Sequence, residues 1–235
     1  MRLLFTICGR AGSKGIRNKN IRDFLGAPLP YYTLSAIDLF LAGRRDLSAD
    51  IVVSTDSGGL IDLSEKNPFR PVDVINRREE LSGDSTPKIA VILDCYSQMK
   101  DKKQTDYDMV VDLDITSPLR TVEDIENLIE KKERTGCDVA FSVTSARRNP
   151  YFNMVKKVEK GYRRVLESEF TTRQQAPEIF DMNASLYAYS PAYLVLQKGV
   201  LDGYCEIIEM YDTGILDLDH ENDFELMEEI GRAHV

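Results

Sequence analysis

Residues 3–20 constrain the fold more than any other part of the chain, because an apolar run there leads directly into a loop rich in glycine and positive charge. The run LLFTIC is typical of a strand covered on both faces, as in a parallel sheet with helices above and below. Gly9, Gly12 and Gly15 let backbone amides approach a ligand closely. The basic residues of the loop are Arg10, Lys14, Arg17 and Lys19. Amides and cations together suit a polyphosphate, although a glycine-rich turn with a solvated basic face has the same composition.

Further along the chain, predicted strands alternate with predicted helices. The strands are expected at residues 51–56, 71–75, 108–114 and 138–143, and the helices at residues 30–41, 87–99 and 122–134. This alternation is typical of a doubly wound sheet. We therefore predict an α/β fold, with a Rossmann-like, doubly wound and mostly parallel sheet, in a single domain over residues 1–230. A polar, turn-rich pattern predicts a small antiparallel excursion over residues 147–172, and residues 231–235 are treated as a tail.

Charge and cysteine usage exclude several classes of protein. A net charge of -9 argues against a nucleic acid partner, since no global cationic field recruits one. The four cysteines form no CxxC pair and there are only two histidines, so neither a zinc site nor a disulfide scaffold is indicated. A reducing cytoplasm fits best. The apolar start is too short for a signal peptide, and no membrane partner is expected.

Two common phosphate-binding patterns do not fit the first loop. A Walker A loop requires Gly-Lys followed by Ser or Thr, whereas Ser13 precedes Lys14 here. The dinucleotide fingerprint requires Gly-x-Gly-x-x-Gly, whereas the spacing here is Gly-x-x-Gly-x-x-Gly. Residues 9–20, GRAGSKGIRNKN, instead resemble the signature loop of the acylneuraminate cytidylyltransferases, which make CMP-activated acidic sugars.

Two later segments strengthen that resemblance. Residues 116–120, TSPLR, match the family's second motif, and Asp114 stands where the family commonly has glutamine. Residues 173–177, RQQAP, followed by Asn183 and Tyr187, are similar to the family's acyl-sugar pocket. A guanidinium there suits a sugar carboxylate, an amide suits a hydroxyl or N-acyl group, and a tyrosine suits the sugar ring.

Two pairs of charged residues also match the family. Arg77 and Asp84 have its spacing in a loop that closes over the nucleotide. Asp217 and Asp219 match its metal-binding Asp-x-Asp, and in a strand they share a face, where two like charges need a cation. Carboxylates that cap the last predicted helix, residues 221–229, are the other explanation of this acidic segment.

The resemblance implies a role for each matched residue. Arg10, Lys14, Lys19 and Asp219 are the implied catalytic set. The implied nucleotide-binding residues are Gly12, Ser13, Asn20, Arg77 and Asp84. The implied sugar-binding residues are Asp114, Ser117, Arg173, Gln174, Asn183 and Tyr187. The implied cofactor is Mg²⁺, held by Asp217 and Asp219, and the implied fold is of the nucleotidyltransferase type.

The residues themselves leave three points open. A carboxylate such as Asp114 at a strand end either holds a cation or accepts sugar hydroxyls. Tyr187 either lines a sugar or packs within its strand. Residues 147–172 form either a surface hairpin or, as the resemblance implies, the contact of a homodimer.

The implied reaction joins CTP to a nine-carbon 2-keto sugar acid of the sialic or legionaminic type, giving a CMP-sugar and pyrophosphate. Residues 113–116 and 146–153 look closer to the legionaminic branch. Two alternatives remain: the same chemistry on an eight-carbon acid such as Kdo, and a non-catalytic nucleotide-binding module that regulates a partner.

Overall fold

A computed structural model describes residues 1–12, 15–83, 85–211, 218 and 220–233. The strands are β1 (Arg2–Cys8), β2 (Asp23–Phe24), β3 (Ala27–Pro28), β4 (Ser48–Thr55), β5 (Asp73–Asn76), β6 (Met109–Leu113), β7 (Val139–Ser145), β8 (Val155–Lys157), β9 (Tyr162–Arg164), β10 (Phe180–Tyr189) and β11 (Cys205–Glu209). The α-helices are α1 (Leu29–Gly43), α2 (Gly58–Glu65), α3 (Lys88–Lys103), α4 (Val122–Thr135), α5 (Pro191–Leu194) and α6 (Glu221–Ala233). The predicted alternation of strands and helices is confirmed.

Seven strands form the central sheet, in the order β11-β7-β10-β6-β1-β4-β5. β1 pairs in parallel with β4 and β6, β4 with β5, and β7 with β11. β10 runs antiparallel between β6 and β7. The sheet is therefore mostly parallel, as predicted, with one reversed strand inserted at its centre.

Apolar residues of β1 alternate between two cores, one on each face of the sheet. Phe5 and Ile7 belong to the core that α1, α2, α4 and α6 cover, whereas Leu4 belongs to the core that α3 and α5 cover. A local signal fixes the start of α4. Thr121 and Asp124 form a capping box there, since Asp124 N donates to Thr121 Oγ1 and Thr121 N donates to Asp124 Oδ2.

The carboxyl ends of the six parallel strands lie along one edge of the sheet, which we name the carboxyl edge. After β1 the chain turns toward β4, and after β6 it turns toward β7, so the sheet has its topological switch point between β1 and β6. Ligands of open α/β sheets bind in the crevice beside such a point. The first residues of the reversed strand β10 also lie at this edge.

Some elements of the structure differ from the sequence-based expectations, and one expectation is not tested. β11 was not predicted. Helix α6 continues past the expected end to Ala233, and Gly231 is buried with no room for a Cβ, which would lie 2.6 Å from Leu25 Cδ1. The predicted strand over residues 215–219 lies outside the described residues, apart from the buried Leu218.

The excursion is an antiparallel hairpin of β8 and β9, paired only with each other. The small antiparallel excursion is thus confirmed. No helix in the described part of the chain is long and apolar enough to cross a bilayer.

Candidate functional site

The first loop leaves β1 at the carboxyl edge and is tied down at two points. Ala11 N donates to Asp56 Oδ1 at 2.6 Å, which anchors the loop beyond the end of β4. Asn20 Nδ2 donates to the Arg10 carbonyl at 3.0 Å, which closes the loop on itself. Gly12 has φ of +74°, in the left-handed region that favours glycine. These contacts fix the described part of the loop next to the ends of β1 and β4.

Gly9 is tightly enclosed at the start of this loop. A Cβ there would lie 2.6 Å from Leu60 Cδ2, 2.8 Å from Ile115 Cδ1 and 3.3 Å from Asn20 Nδ2. The Gly9 amide donates to the Ser54 carbonyl at 3.1 Å. Only glycine lets the chain pass this close to three elements, so Gly9 sets where the loop begins.

Arg77 follows β5 and turns back over the end of β4. It is 8% exposed, and Nη2 donates to the Ser54 carbonyl at 2.7 Å while Nε donates to Ser54 Oγ at 3.2 Å. Both acceptors are neutral. The cation is thus buried at the carboxyl edge with no carboxylate partner among the described residues, which suits it to an anionic ligand.

Beyond β1, the carboxyl edge carries a cluster of three charges. Asp112 and Asp114 lie two residues apart at the end of β6, on the face that α3 covers. Lys88, the first residue of α3, donates from Nζ to Asp114 Oδ2 at 2.9 Å. Its Nζ also lies 2.8 Å from Asp112 Oδ2, without the alignment of a hydrogen bond. The carboxylate pair therefore has its cation in the protein itself.

Burial and charge act in opposite directions on this cluster. Burial by itself raises the pKa of Asp114, but the Lys88 ammonium and hydrogen bonds from Thr116 outweigh it and hold that pKa well below its usual range. Burial likewise disfavours the Lys88 ammonium, and the charges of Asp112 and Asp114 outweigh it and raise the pKa of Lys88 well above its usual value. Lys88 and Asp114 are therefore both ionised near neutral pH.

A buried arginine fixes the chain after β6. Arg120 Nη2 donates to the carbonyl of Asp114 at 2.7 Å and to that of Ser185 at 2.9 Å. Burial lowers the pKa of Arg120 to about 10, so it remains charged at neutral pH. Ser117, a predicted sugar contact, is buried in the same turn, and its carbonyl accepts from Arg120 N at 3.4 Å. Arg120 thus holds the turn that carries two predicted site residues.

Asn183 lies where β10 is irregular. The register of β10 against β7 shifts between Met182 and Tyr187, and Ala184 has φ of +56°. Bulges and strained residues of this kind often occur beside functional sites. Asn183 Oδ1 accepts from Ser142 Oγ at 2.6 Å and from Ser185 N at 3.1 Å, whereas Nδ2 is buried without a hydrogen-bond partner. An orphaned donor at a predicted contact is what a ligand acceptor would satisfy.

Tyr187 is mainly a packing residue. Its side chain is 9% exposed, with ring centroids 6.1 Å from Tyr189 and 6.3 Å from Phe141. The Lys88 ammonium lies 5.9 Å from its ring centroid. Strand packing, one of the two interpretations left open by the sequence, therefore accounts for most of this side chain, and a contact with the sugar stays a prediction.

A cavity of 520 Å³ lies beside the ends of β7 and β11. Its charged lining residues are Arg147, Arg148, Arg173 and Glu209. Arg173 Nη2 donates to the Ala146 carbonyl at 3.2 Å, which ties the predicted carboxylate-binding guanidinium to this cavity. Gln174 lies next to it in an exposed single turn of 3-10 helix, Arg173–Gln175. The excess of positive charge suits an acidic ligand.

Along the carboxyl edge, the predicted site residues divide into two groups. Among the described residues, those assigned to the nucleotide, with Arg10 and Lys19, lie around β1, β4 and β5, and those assigned to the sugar lie around β6, β10 and β7. Five of the predicted residues lie outside the described part of the chain, namely Ser13, Lys14, Asp84, Asp217 and Asp219. Within the described part, no group of three or more His, Cys, Asp or Glu residues could hold a metal ion.

Sequence reasoning did not single out Lys88, Arg120 or Ser142 as site residues. One signal was available for Lys88, since a cation in the first turn of a helix opposes the helix dipole and so needs another reason to be there. A covalent role for Cys8 is not supported, because its interaction with Cys95 and its burial raise the pKa of the thiol well above the usual value.

Similarity to known proteins extends over almost the whole chain. The sequence profile of the family described as "Cytidylyltransferase" matches residues 4–231. The chain is 34% identical over 226 residues to a protein of Campylobacter jejuni named CMP-N,N'-diacetyllegionaminic acid synthase, covering 96% of this chain and 93% of the relative. It is 31% identical, with the same coverage, to post-translational flagellin modification protein B of Campylobacter coli.

Among solved structures, the fold is similar to that of a CMP:2-keto-3-deoxy-manno-octonic acid synthetase complexed with CTP. The TM-score is 0.70 at 16% identity, with both chains covered completely. At this identity the likeness shows the fold alone.

Proposed function

This chain belongs to the cytidylyltransferase family, and from that premise we propose that it transfers CMP from CTP to the anomeric hydroxyl of a nine-carbon 2-keto sugar acid, releasing pyrophosphate. The acid is of the sialic or legionaminic type. The order of polar groups along the carboxyl edge carries this proposal. The basic loop and Arg77 lie on one side of the switch point, and Asp114, Asn183 and Arg173 lie on the other.

The sugar class is supported by relatives and by the cavity. The relative named as a legionaminic acid synthase matches nearly end to end. Three guanidinium groups around the 520 Å³ cavity suit the carboxylate that distinguishes these acids from neutral sugars. An orphaned amide donor at Asn183 suits a hydroxyl or an N-acyl carbonyl.

In the proposed reaction, the oxygen of the anomeric hydroxyl attacks the α-phosphorus of CTP in line and loses its proton to solvent. The new O–P bond forms as the bond between the α-phosphorus and the bridging oxygen of the β-phosphate breaks, and pyrophosphate leaves. Arg10, Lys14 and Lys19 would neutralise the charge that develops on the triphosphate. Asn20 and Arg77 would orient the nucleotide, and the buried Ser54 contacts of Arg77 restrict its guanidinium to one position. Most of the rate enhancement would come from positioning and electrostatics.

We include Mg²⁺ in the proposal only because the family resemblance implies it. Asp217 and Asp219 would hold it, and it would supply positive charge to the triphosphate oxygens. Replacing Asp219 by Ala is expected to abolish turnover and leave the fold intact. Asp101→Ala, the same change at an exposed position at the end of α3, is expected to retain activity, and wild-type turnover by Asp219→Ala would contradict the metal assignment.

A homodimer formed through the excursion is also proposed. Met154, Val155, Tyr162 and Leu166 of this hairpin region are exposed apolar residues, and such clusters often mark contacts between proteins. Tyr162→Lys is expected to shift the sedimentation mass toward a monomer. Leu39→Lys, at an equally exposed apolar residue on α1, is the control and should leave the mass unchanged. The four free thiols fit a reducing compartment, so we place the enzyme in the cytoplasm.

Pyrophosphate release tests the reaction directly. The assay contains CTP, MgCl₂ and one acid at a time: N-acetylneuraminic acid, di-N-acetyllegionaminic acid, Kdn, pseudaminic acid or Kdo. Release is expected with a nine-carbon acid and only when all three components are present. Pyrophosphate release with Kdo and with none of the other acids would favour the eight-carbon alternative. CTP binding without pyrophosphate release in the presence of any acid would favour the regulatory module.

A further inference from the structure

The charges at the end of β6 raise a question that the sequence left open. A pair of carboxylates beside a polyphosphate loop either holds a metal ion or accepts hydroxyl groups. Asp112 is fully buried, and Asp114 lies two residues further along the same face. Two such charges are unfavourable side by side unless a cation neutralises them. The structure supplies that cation from Lys88, on a different element.

Each carboxylate oxygen of the pair already has a positively polarised neighbour. Asp114 Oδ1 accepts from Thr116 N at 2.9 Å and from Thr116 Oγ1 at 2.7 Å, and Oδ2 accepts from Lys88 Nζ at 2.9 Å. Asp112 Oδ1 accepts from Thr6 Oγ1 at 2.8 Å, and Oδ2 lies 2.8 Å from Lys88 Nζ. A divalent ion between the two residues would have to displace the ammonium.

The position of Lys88 in its helix adds an independent argument. Lys88 is the first residue of α3, where the helix dipole disfavours a cation. Pro87 precedes it and provides no side-chain cap. The helix itself therefore gives no reason for a lysine here, whereas the two carboxylates of β6 do.

Asp114 also keeps capacity for a ligand. A carboxylate has about four lone-pair positions, and the described hydrogen bonds to Asp114 occupy three. Its side chain is 24% exposed at the carboxyl edge. A carboxylate held ionised and fixed by Lys88 and Thr116 accepts hydrogen bonds and donates none, so it selects hydroxyl or amide N–H groups.

We propose that Lys88 is the resident counter-cation of the Asp112–Asp114 pair. It takes the place of a divalent ion at the end of β6, and it fixes Asp114 as an acceptor for a hydroxyl or amide N–H of the acceptor sugar. Lys88 is thus a positioning residue that acts through Asp114. The sugar contact rests on the proposed function, whereas the counter-cation role does not.

The main test measures the thermal midpoint Tm of wild type, Lys88→Met, Lys88→Arg and the double variant Lys88→Met/Asp114→Asn. At about pH 8 the midpoint of Lys88→Met should fall by roughly 10 °C, because the buried Asp112 and the partly buried Asp114 lose their cation. The difference in Tm between wild type and Lys88→Met should become smaller toward about pH 5, because one carboxyl of the variant then takes up a proton. Lys88→Arg and the double variant should recover much of the loss.

Other titratable groups do not complicate this pH window. The described groups that face the pair are the Cys8 thiol from β1, the Tyr187 and Tyr189 phenols from β10, and Arg120 after β6. The pKa values of the thiol and of both phenols are raised, and that of Arg120 is about 10. None of them changes charge between about pH 5 and pH 8.

Added MgCl₂ tests whether the ammonium occupies a cation position. It should raise the midpoint of Lys88→Met more than that of wild type, and this extra response should be absent from the double variant. Three results would each overturn the proposal. The first is a Lys88→Met midpoint equal to that of wild type at about pH 8, and the second is a loss of Tm that Asp114→Asn does not relieve. The third is an equal response to MgCl₂ in wild type and Lys88→Met. If Lys88→Met does not fold, the midpoints of the double variant and of Lys88→Arg still test the proposal.

Steady-state kinetics test the sugar contact. In the double variant the KM for the acceptor sugar should rise roughly tenfold, because about one charge-assisted hydrogen bond is lost. The KM for CTP should stay within about twofold of the wild-type value. Equal increases in both KM values would contradict a contact with the sugar. If wild type releases no pyrophosphate with any acid, the proposed function fails, and the Tm comparison still tests the counter-cation.

Discussion

Ser142 on β7 donates a hydrogen bond of 2.6 Å to Asn183 Oδ1 on β10, and this contact determines the orientation of the Asn183 amide. Because Ser185 N donates to the same oxygen, Nδ2 is the amide atom that stays buried without a hydrogen-bond partner. Two strands that are far apart in sequence thereby prepare one unsatisfied donor at the carboxyl edge.

Replacing Asn183 by Asp keeps the oxygen that Ser142 and Ser185 bind and exchanges the orphaned donor for an acceptor. We expect the KM for the acceptor sugar to rise roughly tenfold or more, with the KM for CTP little changed. Steady-state kinetics with each substrate varied in turn measure this. Asn127→Asp, the same exchange at an exposed position on α4, is the control, and a wild-type sugar KM in Asn183→Asp would contradict the role of Nδ2.

Gly9→Ala tests the close packing at the start of the first loop. The added Cβ lies within 3 Å of the Leu60 and Ile115 side chains, so we expect the free energy of unfolding to fall by about 1–3 kcal/mol. CTP affinity should also fall, because the Cβ presses on Asn20. Gly58→Ala, with nothing near its Cβ, should be neutral or slightly stabilising. Urea titrations and CTP binding measurements compare the two variants. Equal free energies of unfolding would contradict the predicted clash, because they would show that the Leu60 and Ile115 side chains can move away from the Cβ.

Arg77→Met removes a buried cation together with its hydrogen bonds to Ser54. We expect CTP binding to weaken roughly tenfold or more, since a charge-assisted contact contributes about 1.5–3 kcal/mol. Calorimetric titration with CTP measures this. Arg134→Met, at an exposed site on α4, should bind CTP normally. Normal CTP binding by Arg77→Met would mean that Arg77 only joins β5 to β4.

The Lys88–Asp114 contact predicts a definite pH dependence of stability. The pKa of Asp114 is lower in the folded protein than the value of about 3.9 in an unfolded chain. Between the two values the unfolded chain binds more protons, so stability rises with pH there and is fully gained above about pH 4–5. The difference in unfolding free energy between wild type and Asp114→Asn should therefore shrink below about pH 4.

Urea unfolding of both proteins from acid to neutral pH measures that difference. The difference in unfolding free energy between wild type and Asp101→Asn, which removes an exposed carboxylate, should change little with pH. A wild-type advantage over Asp114→Asn that grows as the pH falls would contradict the assigned direction of the pKa shift.

The sequence by itself determined the class of fold and the position of the first loop. The run before Gly9 is apolar at nearly every position because β1 is covered on both faces, and such a pattern is readable locally. The same holds for the helix that Thr121 and Asp124 cap. The resemblance to a known family selected Asn20, Arg77, Asp114 and Asn183, and their role in a site stays a prediction, although all four lie toward the carboxyl edge.

Only the tertiary structure decided how those residues are held and what their neighbours are. Lys88 meets Asp112 and Asp114 because α3 packs against β1, the neighbour of β6 in the sheet, and Ser142 meets Asn183 because β10 enters the sheet antiparallel between β6 and β7. β11 was missed for the same reason, since its pairing with β7 rather than its own pattern makes it a strand. These contacts join residues that are distant in sequence, and local periodicity contains no information about such partners.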